Sequence, residues 1–256
     1  MPSAISSSSS TISTLVATVI LSLMSPSEYT ERRSEYDELR AAFTAAVSHE
    51  LRTPLARLSA LLETAELPNA DLPALLRQAR DEVWEMTELV DDILFLSELE
   101  QGREVVALGE TEAGPVLSEV VKESRGRAER AGIRLELRLP DEELLVPLRR
   151  RMLQTVVENL VENAIRYAGE GATCVVSLSR EEGKVVLDAS DDGAGIPAED
   201  APRLFERFFR SDRARTTRGS GLGLAIVKHV VETAGGHVEA RGASGRGLDV
   251  RCAFPG

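Results

Sequence analysis

Cysteine, basic residues and long apolar runs are all scarce in this sequence, and each scarcity narrows what the chain can do. The 256 residues hold two cysteines, Cys174 and Cys252. They lie far apart in apolar, strand-like contexts without metal-ligand spacing, so they read as reduced core residues and fit a cytoplasmic chain. Lysine and arginine number 30 against 42 acidic residues, a net charge of −12. A nucleic-acid partner needs a clustered basic surface to neutralise phosphates, so none is expected, and an anionic small ligand would need a local positive site. Internal repeats are absent, and the one low-complexity stretch is Ser6 to Ser10. What remains, 43% apolar and 28% charged residues, is the composition of an ordinary globular protein with one large or two modest domains.

The single apolar run stands in an N-terminal segment, residues 1–27, that carries no charged side chain. Its densest part, "ISTLVATVILSLM" from Ile12 to Met24, is followed by Glu31-Arg32-Arg33. As helix that run reaches about 20 Å against about 30 Å of hydrocarbon, although the preceding serines could lengthen the span without adding charge. No basic stretch precedes it, as a secretory signal requires. Two readings stand: a membrane anchor through residues 12–24, or a short packed or disordered tail. In the first, the basic pair puts the rest of the chain in the cytoplasm. The stretch between this run and the first helical pattern is too short for a separate relay module, so an input enters through this segment, through a partner, or through a longer protein.

Residues 28–102 read as a helical hairpin. No glycine interrupts the helical pattern from Ser27 to Thr64, the cluster Pro68 to Pro73 breaks it, and a second long helix runs from Leu72 to Glu100, ending near Gly102. Such a hairpin cannot bury its apolar stripe alone, and pairing with a second copy into a four-helix bundle is the remedy. From residue 103 to 256 the texture is mixed. "EVVALGE" is strand-like, Ala113 to Ala131 helical, "IRLELRLP" alternates with period two, and Leu148 to Tyr167 is helical again. Two strands with a turn at Glu181-Glu182-Gly183 lead into a glycine-rich loop. After an arginine-rich segment come a helix from Leu222 to Ala234 and the strands "HVEARG" and "GLDVRCAF". The expected fold is α+β, a helical hairpin followed by a two-layer α/β sandwich.

On the first helix Phe43, Val47, Leu51, Leu55, Leu58 and Leu62 recur every three or four residues and should form one face toward the hairpin core. His49 lies opposite, with Glu50 beside it and Thr53 one turn on. Pro54 cannot donate a backbone hydrogen bond and clashes one turn back, loosening the helix beside the histidine. Imidazole is a nucleophile near neutral pH, and an adjacent carboxylate can hold one ring nitrogen protonated so that the other offers its lone pair. "FTAAVSHELRTPLARL" resembles the phosphoacceptor box of sensor histidine kinases. The resemblance implies that His49 accepts a phosphoryl group, that Glu50 is its acid/base partner, and that Thr53 positions water for dephosphorylating a response regulator.

Three stretches of the second half could hold the phosphoryl donor. In "VVENLVENAIRYA" an apolar face of Leu153, Val157, Leu160 and Ala164 is bordered by Asn159 and Asn163, with Tyr167 one turn further. Amides there can ligate Mg²⁺ through oxygen, or simply be satisfied at the surface. In "SDDGAGIP", Asp191 ends a strand before Gly193 and Gly195; it can accept from an adenine amine or merely shape a turn. In "RGSGLGLA", Gly219, Gly221 and Gly223 precede a helix, where exposed backbone N–H groups and the helix dipole suit phosphate. The loop is neither a Walker loop nor a dinucleotide fingerprint. Between the glycine stretches, Phe205 and Phe208 either anchor a mobile segment or pack plainly, with Arg210 facing phosphate.

In this order the stretches resemble the N box, first glycine box, F box and second glycine box of the Bergerat-type ATPase domain, and with the histidine box the likeness covers residues 41–256. It implies Mg²⁺ on Asn163 with Asn159 nearby, Tyr167 packed on the adenine side, and adenine read by Asp191 in the loop of Gly193 and Gly195. It further implies Arg166 and Arg210 near the phosphates, and Gly219, Gly221 and Gly223 in an ATP lid. One departure is visible: an acidic residue common before the asparagine helix is replaced by Val146-Pro147. The expected protein is a homodimeric, ATP- and Mg²⁺-dependent histidine kinase that phosphorylates a response regulator and also dephosphorylates it. A non-catalytic adaptor that binds a regulator and a Bergerat-type ATPase clamp are the alternatives. His229 and His237 are expected to pack at the core edge or surface.

Overall fold

A computed structural model describes residues 26–100, 109–211 and 219–256, with side chains from residue 44 onward except that of Glu100. The uncharged N-terminal run 12–24, residues 104–108 of "EVVALGE", the boundary drawn at residues 102 and 103, and 212–218 of the arginine-rich segment lie outside the described residues. No helix among the described residues is long and apolar enough to cross a membrane.

The chain divides into two compact units, Met1–Arg52 and Thr53–Gly256. Helix α1 (Pro26–Ala65) belongs to both; it continues through Pro54, whose ring leaves the Glu50 carbonyl without its usual helical donor. Within the second unit the end of α1 turns at Asn69, which takes a positive φ of 71°, into helix α2 (Leu72–Glu100). Asp71 caps α2: its carboxylate accepts from the Ala74 amide at 3.1 Å, satisfying one of the orphan donors of the first turn. Arg57 reaches across the hairpin to the buried Glu82 at 3.7 Å.

The expected apolar stripe of α1 is only partly covered. Leu51 and Leu58 are half-buried, whereas Leu55 and Leu62 are 49% and 60% exposed; the side chain of Phe43 lies outside the described residues. On α2, Leu76, Val83, Val90 and Leu94 are exposed as well. The spacing 55, 62 and 76, 83, 90 is the seven-residue repeat of a helix seam. The reason for the difference from expectation is that one hairpin has too few facing residues to bury both stripes.

The mixed region follows the expected element order. The elements are β1 (Thr111–Glu112), α3 (Ala113–Arg130), β2 (Arg134–Arg138), β3 (Leu145–Val146), α4 (Arg150–Tyr167), β4 (Thr173–Glu181), β5 (Lys184–Asp191), a 3₁₀ turn at Ala201–Arg203, α5 (Gly223–Thr233), β6 (His237–Gly242) and β7 (Leu248–Pro255). Five strands form one sheet in the order β2-β4-β5-β7-β6, with β2 and β4 parallel and the other pairs antiparallel. The hairpin of β4 and β5 closes on Glu182 and Gly183, both at positive φ, the pattern of a type I′ turn whose twist matches the strands. Two-residue strands β1 and β3 pair beside the main sheet. Alternate residues of β4, β5 and β7, among them Val176, Leu187 and Phe254, are buried with Leu117 of α3, Leu153 and Leu160 of α4, and Ile226 of α5. Cys174 and Cys252 lie in this core as free thiols. Burial pushes the Cys174 thiol up to about 12, and moves Cys252 in the same direction.

The other face of the sheet carries a charged cluster beside the buried Val186. Arg251 gathers Glu181, Asp188 at 3.6 Å and Glu239 at 4.0 Å. Burial raises the Asp188 carboxyl to about 6; Arg251 opposes the shift, and the neighbouring Asp249, Glu181 and Glu239 add to it. A carboxyl whose folded value is raised contributes stability that is fully present below its ordinary value of 3.8 and is lost as pH rises through about 6. Asp188→Asn should therefore melt higher than the parent at about pH 8, with the gap closing toward about pH 4. Thermal melts across that range check it, and a gap that widens on acidification would contradict it.

Candidate nucleotide site and phosphoacceptor histidine

In the first unit, His49 stands on α1 with its side chain 76% exposed and Nδ1 3.5 Å from Glu50 Oε1. Thr53, the next turn on in the same helix, is exposed and belongs to the second unit. The residues expected to hold nucleotide all fall in the second unit, and the structure brings them together around one end of α4.

Helix α4 buries Leu153, Val157, Leu160 and Ala164 and leaves Asn159, Asn163, Arg166 and Tyr167 half-buried along the edge of that face. The Asn159 Nδ2 donates to the Thr155 carbonyl at 2.9 Å, which turns its Oδ1 toward the start of α5. There Gly223 comes so close that a Cβ would sit 2.5 Å from Asn159 Oδ1, so any larger residue would push the Asn159 side chain aside. No protein group among the described residues engages the Asn163 amide, which leaves its oxygen for an outside ligand. Arg166 is held by Glu162, 2.7 Å from Nε, and by Glu88 of α2, 2.8 Å from Nη2. Burial works against the Arg166 charge, but these bonds more than offset it and hold the guanidinium firmly protonated. Burial raises the Tyr167 hydroxyl, while the positive charges of Arg210 and Arg166 pull it back, which sets Arg210 in the same neighbourhood.

The glycine loop lies over this edge. Gly219 sits against the Tyr167 hydroxyl, the Gly221 carbonyl accepts from the Phe208 amide at 2.9 Å, and Ser220 donates to Asp92 of α2 at 2.8 Å. Phe208 takes a positive φ of 60°, so the aromatic segment is bent where it meets the loop. The neighbouring Phe209 ring is covered by the Arg203 guanidinium at 4.2 Å.

Asp191 ends β5, and its Oδ1 accepts from the Gly193 amide at 2.9 Å. Burial raises its carboxyl, with the backbone amides of Gly193 and Leu248 working the other way. The loop of Gly193 and Gly195 is locked from behind by the connection between β6 and β7. The Gly247 amide donates to the Gly193 carbonyl at 3.1 Å and the Gly245 amide to the Ala194 carbonyl at 2.7 Å. Gly247, at φ 79°, passes so near β5 that a Cβ would lie 1.7 Å from the Asp191 carbonyl oxygen. Sequence reasoning missed Gly247, as it missed Glu88 and Asp92. The tight Gly245-Arg246-Gly247 triplet was a signal for the first, while carboxylates four apart on an acidic helix look like any solvated face.

The donor set fits a magnesium nucleotide: an amide oxygen that no group among the described residues engages, two arginines, glycine loops that leave no room for side chains, and a carboxylate at a strand end. The fold is that of a helical hairpin followed by a Bergerat-type α/β module. Comparison with known proteins agrees. Residues 149–256 match the family model described as histidine kinase-, DNA gyrase B-, and HSP90-like ATPase, and residues 39–102 match the His Kinase A (phospho-acceptor) domain. The sensor-like histidine kinase SenX3 of Mycobacterium tuberculosis is 34% identical over 232 residues, 87% of this chain and 56% of that protein. The chain thus spans about half the length of that relative. Among solved structures, the mycobacterial sensor histidine kinase MprB is 30% identical with a TM-score of 0.50, covering 58% of this chain and 97% of that one. The histidine kinase AdeS of Acinetobacter baumannii is 26% identical with a TM-score of 0.65, covering 81% and 97%. The chain belongs to the sensor histidine kinases.

Replacing Gly247 by alanine forces the Asp191 strand end to move, and it should weaken ATP binding by about tenfold, the scale of an overpacked contact. Gly245→Ala, at a similar φ of 74° but with open space around it, separates the clash from backbone strain. Titration of both variants with a fluorescent ATP analogue, beside thermal melts, checks this; equal binding by Gly247→Ala and the parent would refute it.

Proposed function

We propose that the chain is an ATP-dependent protein-histidine kinase that phosphorylates His49 and passes the phosphoryl group to an aspartate of a response regulator. The observation that carries this reading is the pairing on one chain of an exposed His49 against Glu50 with a nucleotide site whose Asn163 amide no group among the described residues engages. With Glu50 beside Nδ1, the proton is held on that nitrogen and Nε2 presents its lone pair. Nε2 then attacks the γ-phosphorus, the N–P bond forms as the bond to the β,γ-bridging oxygen breaks, and ADP leaves. The Nδ1 proton passes toward Glu50, leaving a neutral ring as the phosphoramidate. Bound Mg²⁺, with Asn163 as a ligand and Asn159 nearby, would neutralise phosphate charge. Arg166, Arg210 and the amides of the glycine loop orient the phosphates, so that the chain works mainly by positioning and electrostatics. Asp191 accepts from the adenine amine while Tyr167 packs beside the ring. Thr53, exposed one turn beyond His49, is suited to orienting water in the reverse, phosphatase direction.

The uncovered seam of Leu55, Leu62, Leu76, Val83 and Val90 supports a homodimer, since two hairpins together can bury what one cannot. Residues 12–24, uncharged and followed by Arg32 and Arg33, are the segment through which the chain would meet the inner face of a membrane.

Incubation with γ-labelled ATP should label the chain with phosphate that is lost in acid and kept in alkali. His49→Gln should reduce that label to background with nucleotide affinity unchanged. Persistence of the label in this variant would remove the assignment. Asn163→Ala should weaken Mg·ATP binding by about tenfold or more, in keeping with the loss of a metal ligand, and titration calorimetry reads it.

A further inference from the structure

Helix α2 does more than complete the hairpin. Glu88 and Asp92 are four residues apart and so lie on one face, and each holds a different part of the nucleotide site. Glu88 Oε2 accepts from Arg166 Nη2 at 2.8 Å. Asp92 Oδ2 accepts from the Ser220 hydroxyl at 2.8 Å, and that hydroxyl in turn accepts from the Leu222 amide at 3.2 Å. Arg166 and the loop bearing Ser220 are the groups that face phosphate in the reading proposed above.

Their arrangement is antagonistic to a polyanion. The Arg166 fork already serves two carboxylates, Glu162 of its own helix and Glu88 of another, and a guanidinium engaged on both sides has fewer N–H groups to offer. Asp92 is half-buried, so water screens its charge less than at the open surface. It also ties the stretch between Gly219 and Gly221 to α2 through the Ser220 hydroxyl.

We propose that Glu88 and Asp92 form an intramolecular docking surface that holds the nucleotide module by its phosphate-side donors, so that helix α2 and the phosphates of ATP compete for the same groups. The inference rests on the proposed nucleotide site and extends it. By linkage, whatever strengthens the grip of α2 lowers nucleotide affinity, and bound nucleotide frees α2 to the same degree. Adenosine, lacking phosphates, does not enter the competition.

The test compares the full chain with Glu88→Gln, Asp92→Asn and the double variant, each shown to be folded by circular dichroism and titrated with Mg·ATP and with adenosine. The Glu88 carboxylate is 40% exposed, so its bond is partly screened, and the expected gain in Mg·ATP affinity is about threefold for each single variant and about fivefold or more for the double. Adenosine affinity should stay unchanged. Mg·ATP affinity that is equal or weaker in the double variant overturns the proposal, as does an equal gain for adenosine, which would mean that the whole site had merely loosened. A parent chain that binds no Mg·ATP would instead overturn the reading of the site itself.

Discussion

The docking of α4 on the sheet is the contact from which the rest of the nucleotide module takes its geometry. Leu153, Val157, Leu160 and Ala164 fix the rotation of that helix, because turning it by one residue would carry about 100° of apolar surface into water. Rotation once fixed, Asn159, Asn163, Arg166 and Tyr167 have no freedom but to line one edge. The same docking sets the distance to α5, where Gly223 admits Asn159, and to the loop after β5, where the Ala168 carbonyl accepts from the Ala194 amide at 2.8 Å. A packing decision in the core thus decides where polar atoms stand outside it.

Charge is arranged with less redundancy. The chain is strongly acidic overall, and Arg166 is matched locally by Glu162 and Glu88, as Arg127 of α3 is by Glu162 at 3.3 Å. An anion approaching Arg166 meets a guanidinium already shared between two carboxylates. This distinguishes the site from a simple basic pocket, and it makes helix α2 a participant in the electrostatics of the nucleotide module. On the far side of the sheet, the carboxylates around Arg251 outnumber their guanidinium, which concentrates pH sensitivity away from the site.

Much of this was legible in the sequence where a periodic signal was long. The helices from residues 72, 113, 150 and 223 begin within a few residues of the positions their apolar spacing implied, and Glu182-Gly183 announced its turn. The fourfold order of asparagine helix, Asp-Gly loop, aromatic segment and glycine loop pointed to stretches that the fold gathers around one end of α4. The misses share a physical cause. Two-residue strands such as β1 and β3 are too short to show alternation. The exposure of Leu55 and Leu62 depends on how many helices surround them, which spacing along one helix does not encode. Gly247, Glu88 and Asp92 act on residues 56, 78 and 128 positions away, respectively Asp191, Arg166 and Ser220, and only the folded register reveals such partners.

The two buried thiols carry a practical and biological corollary. With both sulfurs sealed in the sheet core and their protons held far above neutrality, neither is a thiolate that an oxidant or an alkylating reagent can attack in the folded state. Redox stress therefore has no handle on this part of the molecule through cysteine. A reporter thiol engineered at the surface would be the one reactive sulfur on offer.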